Sequence, residues 1–150
     1  MAMVLVSCDQ RQPKLSEEQV RKLKAAMPGI TDACLDKVRW GGIEAMPPGL
    51  DKCFKMTPQG HWAGLWENGF ESSRFCPAPA TECSGPAGGE YIWLSASPGV
   101  RLPTYQGEDR APIYAVEFLG RKTAYRGVYS GGAPQEIIVD RMISMTKLKE

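Results

Sequence analysis

The sequence predicts a mainly β protein of the α+β class: a small closed or OB-like (oligonucleotide/oligosaccharide-binding) β-barrel preceded by a short helical pair. Two capped helical segments occupy the front of the chain, and strand-length segments separated by turn residues follow from Phe54 onward. The 16 glycines and 12 prolines fall mostly after Pro28, which favours short strands and turns. About six strands in meander connections indicate a barrel of OB type, with a two-layer β-sandwich as the alternative.

Length and charge limit the domain count and the class of partner. A chain of 150 residues that is 43% hydrophobic and 23% charged is typical of one globular domain. We assign that domain to residues 15–150, with the helical pair at 15–40 and the β domain at 54–150. The 18 basic and 17 acidic residues leave a net charge of +1, which argues against nucleic acid as a partner.

Residues 1–14 are predicted to be a truncated lipoprotein signal and a tether. Leu5-Val6-Ser7-Cys8 resembles the bacterial lipoprotein box, in which a cysteine after a small residue becomes lipidated, although the basic n-region and most of the apolar h-region are missing. The polar segment 9–14 suits a tether. We expect a periplasmic protein anchored to the membrane only through a lipid at Cys8. The alternative is a buried first strand that contains an ordinary cysteine.

The four remaining cysteines suggest two disulfides, because their number is even and an exported protein meets an oxidising environment. Three pairings are possible, and we prefer Cys34–Cys53 with Cys76–Cys83 because this pairing closes the two shortest loops. Zinc is disfavoured because no cysteine pair has the spacing of a zinc knuckle and the chain has one histidine. We predict neither a metal nor another cofactor.

The helical pair is defined by its caps. Ser16 and Gln19 have the spacing of a capping box, and Pro28-Gly29 ends the first helix. Thr31 can cap a second helix, which Gly41-Gly42 breaks after Trp40.

A β-hairpin is predicted over residues 60–77, with Trp62 and Trp66 on one face and Asn68-Gly69 as its two-residue turn. The segment 113–121 is apolar at nearly every position, so we expect a central strand with both faces covered. The remaining strands are expected at 54–57, 90–95, the beginning of 100–112, and 135–143, with a loop at 76–89.

Three segments carry a resemblance to small exported bacterial lipoprotein-like proteins of uncharacterised function. They are the run from Trp66 to Pro77, the strand containing Trp93, and Val116 to Gly120 followed by the predicted 127–140 hairpin. The resemblance covers about half of the chain, from Trp66 to Asp140. It implies export and no particular activity.

Aromatic side chains beside arginines suggest a binding surface, because such surfaces stack on sugars, bases or peptides. Trp62 and Trp93 are expected in the core, whereas Trp66 is expected to be exposed near the hairpin turn. The candidate binding residues are Trp66, Glu67, Glu71, Arg74, Tyr125 and Tyr129.

The leading functional hypothesis is a non-enzymatic cell-envelope module that binds a protein or other ligand through this aromatic β surface. A small hydrolase is the first alternative, because Glu67 and Glu71 could form a general acid-base pair. The competing expectation is that these glutamates face solvent or pair with Arg74 across the strands. An OB-type nucleic-acid binder is the second alternative.

Overall fold

The structure, a computed structural model, describes residues 11–148. Within this range it contains two α-helices and a five-stranded β-sheet closed into a barrel. The elements are α1 (Glu17–Ala26), α2 (Asp32–Gly41), β1 (Gly60–Gly69), β2 (Ser72–Pro77), β3 (Ile92–Ala96), β4 (Ile113–Lys122) and β5 (Gln135–Lys147). Two single-turn 3-10 helices, Ile43–Ala45 and Leu50–Lys52, lie between α2 and the barrel.

Both helices begin at the predicted caps. The Gln19 N–H donates to the Ser16 hydroxyl at 3.2 Å while the Ser16 N–H donates to the Gln19 side chain at 2.8 Å, which completes the capping box. The Cys34 N–H donates to the Thr31 hydroxyl at 3.2 Å. Each cap stabilises its helix by about 1 kcal/mol. No helix in the described part of the chain is long and apolar enough to cross a membrane.

The barrel has the strand order β1-β2-β3-β5-β4 and closes through the pairing of β4 with β1. The β3–β5 pair is parallel and the other pairs are antiparallel. A five-stranded Greek-key barrel of this kind is the OB architecture. The predicted small closed barrel behind a helical pair is therefore confirmed.

The hairpin turn lies two residues later than predicted. Gly69 pairs with Ser72, so the loop consists of Phe70 and Glu71, and Glu71 has a positive φ of 48°. Asn68 instead belongs to β1, where its side-chain amide donates to the Pro103 carbonyl at 2.9 Å. That tertiary hydrogen bond holds Asn68 in the strand, and the prediction of an Asn68-Gly69 turn is wrong.

The barrel interior holds the main hydrophobic core. Trp66, Phe75 and Phe118 are its largest buried side chains, and Phe75 contacts the Phe118 ring at a centroid distance of 5.2 Å. Because side chains alternate along a strand, Trp62 and Trp66 both lie on the inner side of β1. Trp62 is only half-buried, and its indole N–H donates to the Gly120 carbonyl at 3.2 Å.

A second core joins the helices to the barrel. Its buried members are Ile30, Cys34, Val38, Cys53, Phe54 and Tyr129. Both preferred disulfides, Cys34–Cys53 and Cys76–Cys83, are present. The first links α2 to the segment beside the barrel, and the Thr31 N–H donates to the Cys53 carbonyl at 2.8 Å. The second closes the loop after β2.

Three strand predictions need correction. Residues 54–57 form only isolated bridges at Phe54 and Met56 rather than a strand. Residues 100–112 form no strand, because Val100 and Leu102 instead pack against the barrel core as an irregular segment. The predicted 127–140 hairpin is also absent, since residues 127–134 lie outside the named strands.

The strand predicted over 113–121 is present as β4, which pairs with β1 and β5. Every strand of the closed barrel has two neighbours, so β4 is no more central than the others. Its two faces are not equally covered. Val116, Phe118 and Gly120 are buried, whereas the side chain of Glu117 is 42% exposed. The outer face of a closed barrel meets solvent where no other segment covers it, which explains the difference.

Candidate functional site

Trp66, predicted to be exposed, is a core residue with 2% of its surface accessible. Its ring stacks on Tyr114 at a centroid distance of 5.2 Å, and its indole N–H donates to the Ser73 hydroxyl at 2.9 Å. The later turn sets Trp66 further from the hairpin tip, on the inner face of β1. Trp66 therefore stabilises the barrel and cannot contact a ligand at its surface.

Tyr129 is also buried, with 7% of its surface accessible. Its ring meets Phe54 edge to face at 5.3 Å, and its hydroxyl donates to the Tyr125 carbonyl at 2.7 Å. Burial raises the pKa of the Tyr129 phenol above its ordinary value. Tyr125 remains half-exposed and packs against Gly29. Tyr129 thus belongs to the second core rather than to a binding surface.

Arg74 fastens the loop that follows β2. It lies opposite Glu67 in the β1–β2 register, but its guanidinium donates to the Gly85 and Gly89 carbonyls at 2.9 and 2.8 Å. It also lies 5.9 Å from the centre of the Tyr91 ring. Carbonyl and ring contacts therefore orient the guanidinium toward the loop, and Arg74 has a structural role.

The two glutamates and Tyr125 do not share a surface. Glu71 lies exposed in the hairpin turn and Glu67 half-buried on β1, beside the first residues of β4. Tyr125 follows the last residue of β4, Lys122. Ten strand residues span roughly 33 Å, so the two ends of β4 are far apart. The six candidate residues are not brought together as one aromatic face.

The structure instead shows a cleft of about 380 Å³ between the barrel and the segment 46–54. Its floor is the outer side of β3 and β5. The polar residues that line it include Asp51, Ser95, Ser97, Ser130 and Glu136, and the apolar ones include Met46, Leu50, Phe54 and Ile138.

The parallel pairing of β3 with β5 builds the cleft floor. Ser95 lies opposite Ile138, while Trp93 lies opposite Glu136. Because alternate residues face outward, Ile138 and Glu136 point away from the barrel core, yet each is only 4% exposed. The outer side of this sheet is thus covered locally, and its outward side chains become the lining of a recess.

Glu136 is the buried carboxylate of the cleft. Its Oε2 accepts a hydrogen bond from the Ser130 N–H at 3.3 Å, and its own N–H donates to the Thr123 hydroxyl at 3.1 Å. A carboxylate has about four lone-pair positions that can accept hydrogen bonds. Glu136 therefore retains lone-pair positions that could accept hydrogen bonds from a ligand.

An ion-pair network beside the cleft joins its wall to the barrel. Arg121 donates to both carboxylate oxygens of Asp140, at 2.8 and 2.9 Å, and to Asp51 at 3.2 Å. The Ser97 hydroxyl and the Gln59 amide also donate to Asp140, at 2.8 and 3.1 Å. Arg121 is the main reason that the Asp140 pKa falls from 3.8 to about 2, and the network also raises the Arg121 pKa.

The lining of the cleft is mixed in polarity. Apolar walls with a few fixed polar groups are the usual composition of a small-ligand site. In residues 11–148 no group of three or more histidine, cysteine, aspartate or glutamate residues could hold a metal ion. Carboxylate and hydroxyl acceptors suit a ligand that carries hydrogen-bond donors.

Sequence reasoning missed Ser95, Glu136 and Ile138 as site residues. Glu136 directly precedes the apolar run 137–139 and alternates in phase with Ile138, and that was the available signal. The pairing that brings β3 beside β5 joins distant segments, so the sequence pattern alone could not assemble the floor.

Comparison of the chain with protein-family models, curated proteins and solved structures finds no match. A function for this chain therefore has to be inferred from its own geometry. Among its described residues the cleft at β3 and β5 combines a buried carboxyl side chain with apolar walls.

Proposed function

We propose that the protein is a non-enzymatic binding module of the bacterial cell envelope that holds its ligand in the cleft between residues 46–54 and the outer face of β3 and β5. The observation that supports this proposal is the cleft of about 380 Å³, which has the buried Glu136 carboxylate among its lining residues. This site replaces the predicted aromatic surface, whose residues Trp66 and Tyr129 lie in the two cores.

The cleft composition favours a ligand group with a positive or donor-rich end and an apolar body. Glu136 and Ser95 can accept hydrogen bonds from the donor end. Leu50 and Ile138 can contact the apolar part. A lysine or arginine side chain presented by a partner protein has this chemistry, as does a small organic amine.

Preorganisation supports binding at this position. The Cys34–Cys53 disulfide fixes the outer wall to α2, while Arg121 ties Asp51 in the same wall to the barrel. A site that is already ordered loses less conformational entropy when a ligand binds.

Two observations support an exported location. Disulfides persist in oxidising compartments, and four cysteines of this chain form two of them. The Leu5-Val6-Ser7-Cys8 pattern suits lipidation at Cys8, which lies outside the described residues.

The ligand site can be tested with short peptides as probes. Acetylated tripeptides with a central lysine or arginine are titrated into isotope-labelled protein, and amide shifts are followed by NMR. We expect saturable shifts centred on Ser95 and Ile138 with the cationic peptides and not with a glutamate tripeptide. Ser95→Arg, which would fill the cleft, should abolish them.

The matched control is Ser144→Arg, which places the same side chain at an exposed position on β5. Shifts that persist in Ser95→Arg, or that fall elsewhere on the barrel, would refute the cleft as the site.

The proposed lipid anchor at Cys8 is tested separately. Bacteria that express the full gene are grown in the presence of radiolabelled palmitate. We expect the wild-type protein to incorporate the label and the Cys8→Ser variant to lack it. Equal label in both, or none in either, contradicts lipidation at this cysteine.

A further inference from the structure

We infer that the cleft prefers the primary ammonium of a lysine side chain over the guanidinium of arginine. This preference rests on the proposed function, because the same site would discriminate between the two cationic side chains. Three features of the lining support it: one free carboxylate oxygen, neighbouring acceptors beside apolar walls, and the presence of a single aromatic ring.

The free carboxylate oxygen belongs to Glu136. This residue is 4% exposed and lines the cleft, and its Oε2 accepts the hydrogen bond from the Ser130 N–H. Its Oε1 accepts no hydrogen bond within residues 11–148. In that range the only fully buried side-chain nitrogen or oxygen without a partner is the Arg74 Nε. The Glu136 Oε1 is therefore accessible to solvent, and a donor reaches it from the cleft that Glu136 lines.

One free oxygen suits an ammonium better than a guanidinium. A guanidinium binds a carboxylate most favourably through two parallel N–H···O bonds, which use both oxygens. Asp140 shows this arrangement inside the protein, since Arg121 donates to its two oxygens at 2.9 and 2.8 Å. In Glu136 the Ser130 N–H already occupies Oε2. An ammonium is a compact charge with three donors, and a single donor suffices for Oε1.

The remaining donors of an ammonium find acceptors in the same lining. The Ser95 hydroxyl makes no hydrogen bond within the described part of the chain, and it lies on the cleft floor opposite Ile138. Asp51 accepts the Arg121 hydrogen bonds through Oδ2, which leaves Oδ1 for a ligand. These acceptors need no particular plane, so they suit the tetrahedral donors of an ammonium.

The apolar walls fit the stem of lysine. Met46, Leu50 and Ile138 line the cleft. Glu136 and Ile138 point to the same side of β5, two residues apart, so the acceptor for the ammonium and a contact for the stem are adjacent. Lysine commonly buries its methylene groups along apolar surface while the charged end stays at a polar group.

The lining does not suit a trimethylated ammonium. Proteins recognise quaternary ammonium groups with cages of aromatic faces. Of the described residues that line the cleft, only Phe54 is aromatic, and its ring already meets Tyr129 edge to face. We therefore expect N–H donation, and not charge alone, to hold the ammonium.

The test compares three capped tripeptides of equal charge, in which lysine, arginine or trimethyl-lysine stands between two glycines. Each is titrated into the isotope-labelled full chain with both disulfides intact. The dissociation constant is obtained from the amide shifts of Ser95 and Ile138. We expect the lysine peptide to bind about tenfold more tightly than either of the others, the effect of one charge-assisted hydrogen bond.

A variant assigns the preference to Glu136. Glu136→Gln keeps an oxygen that can accept from the Ser130 N–H but removes the charge, and it should lower the lysine affinity to that of the arginine peptide. The matched control is Glu82→Gln, which removes the same charge from an exposed loop position and should bind like the wild type. Melting temperatures show whether Glu136→Gln is folded, and the three-peptide comparison on the wild type decides the preference even if it is not.

Two results would overturn the lysine preference while leaving the cleft as the ligand site. The first is arginine-peptide binding that equals or exceeds that of the lysine peptide. The second is equal binding of the trimethyl-lysine peptide, which would show that charge alone holds the ligand. Absence of saturable shifts with all three peptides would instead refute the proposed function, and the preference with it.

Discussion

Replacing Asp140 with asparagine should destabilise the protein in a pH-dependent manner. The substitution keeps the side-chain shape but removes the charge that accepts hydrogen bonds from Arg121, Ser97 and Gln59. Arg121 would retain Asp51 as its partner. The substitution therefore removes one charged partner from a network and does not leave Arg121 without an acidic partner.

The magnitude follows from the Asp140 pKa, which falls from 3.8 to about 2. A difference of about 1.8 units corresponds to roughly 2.4 kcal/mol in the free energy of unfolding. The side chains of Asp140 and Arg121 are 13% and 27% exposed, so solvent screening lowers this ceiling. We expect a loss of about 1–2 kcal/mol at pH 7, equivalent to a decrease of roughly 3–6 °C in Tm.

The pH dependence has a definite sign. Because the folded state has the lower pKa, Asp140 contributes its full stabilisation above the unfolded pKa of 3.8 and loses it as the pH falls through about 2. Urea unfolding of the wild type and of Asp140→Asn, with disulfides intact, should differ at pH 7 and converge toward pH 2. Asp109→Asn, at an exposed loop position, serves as the control. An equal difference at both pH values would refute the electrostatic explanation.

Three further changes test the barrel core, the close contact between β1 and β2, and the Cys34–Cys53 disulfide. Trp66→Ala should lower the free energy of unfolding by about 3–5 kcal/mol, because it leaves a cavity at a buried position. Urea titrations measure this loss. A loss below about 1 kcal/mol would contradict the burial of Trp66. Gly64→Ala should cost about 1–3 kcal/mol because its Cβ would meet the β2 backbone, whereas Gly60→Ala should cost less. Replacing both Cys34 and Cys53 by alanine should cost about 2–4 kcal/mol, and free thiols at either position in non-reducing mass spectrometry would contradict the pairing.

The features that could be predicted from the sequence are those that neighbouring residues determine. The caps at Ser16 and Thr31 depend on residues within one helical turn, and both are present. The predicted 90–95 strand is present as β3, and its alternation puts Ile92 and Leu94 on one side, where both are buried. Loop closure selected the disulfides that the structure contains.

Errors arose where contacts between distant segments override local preference. Asn68-Gly69 has the local chemistry of a turn, yet Asn68 is bonded to Pro103 and remains in β1. The predicted turn put Trp66 near the hairpin tip and hence at the surface. In the observed register Trp66 lies in the core. Tyr129 was placed at the surface because no local pattern indicates that Phe54 covers it.

The outer wall of the cleft is attached to the rest of the molecule by a disulfide and by an ion pair. The wall contains Cys53 and Asp51, which hold it to α2 and to Arg121 respectively. The barrel core around Trp66 contains neither disulfide. We therefore expect loss of the Cys34–Cys53 bond to loosen the wall of the proposed ligand cleft while the barrel keeps its own packing. In this arrangement α2 holds the wall through the disulfide, and the barrel strands β3 and β5 form the floor.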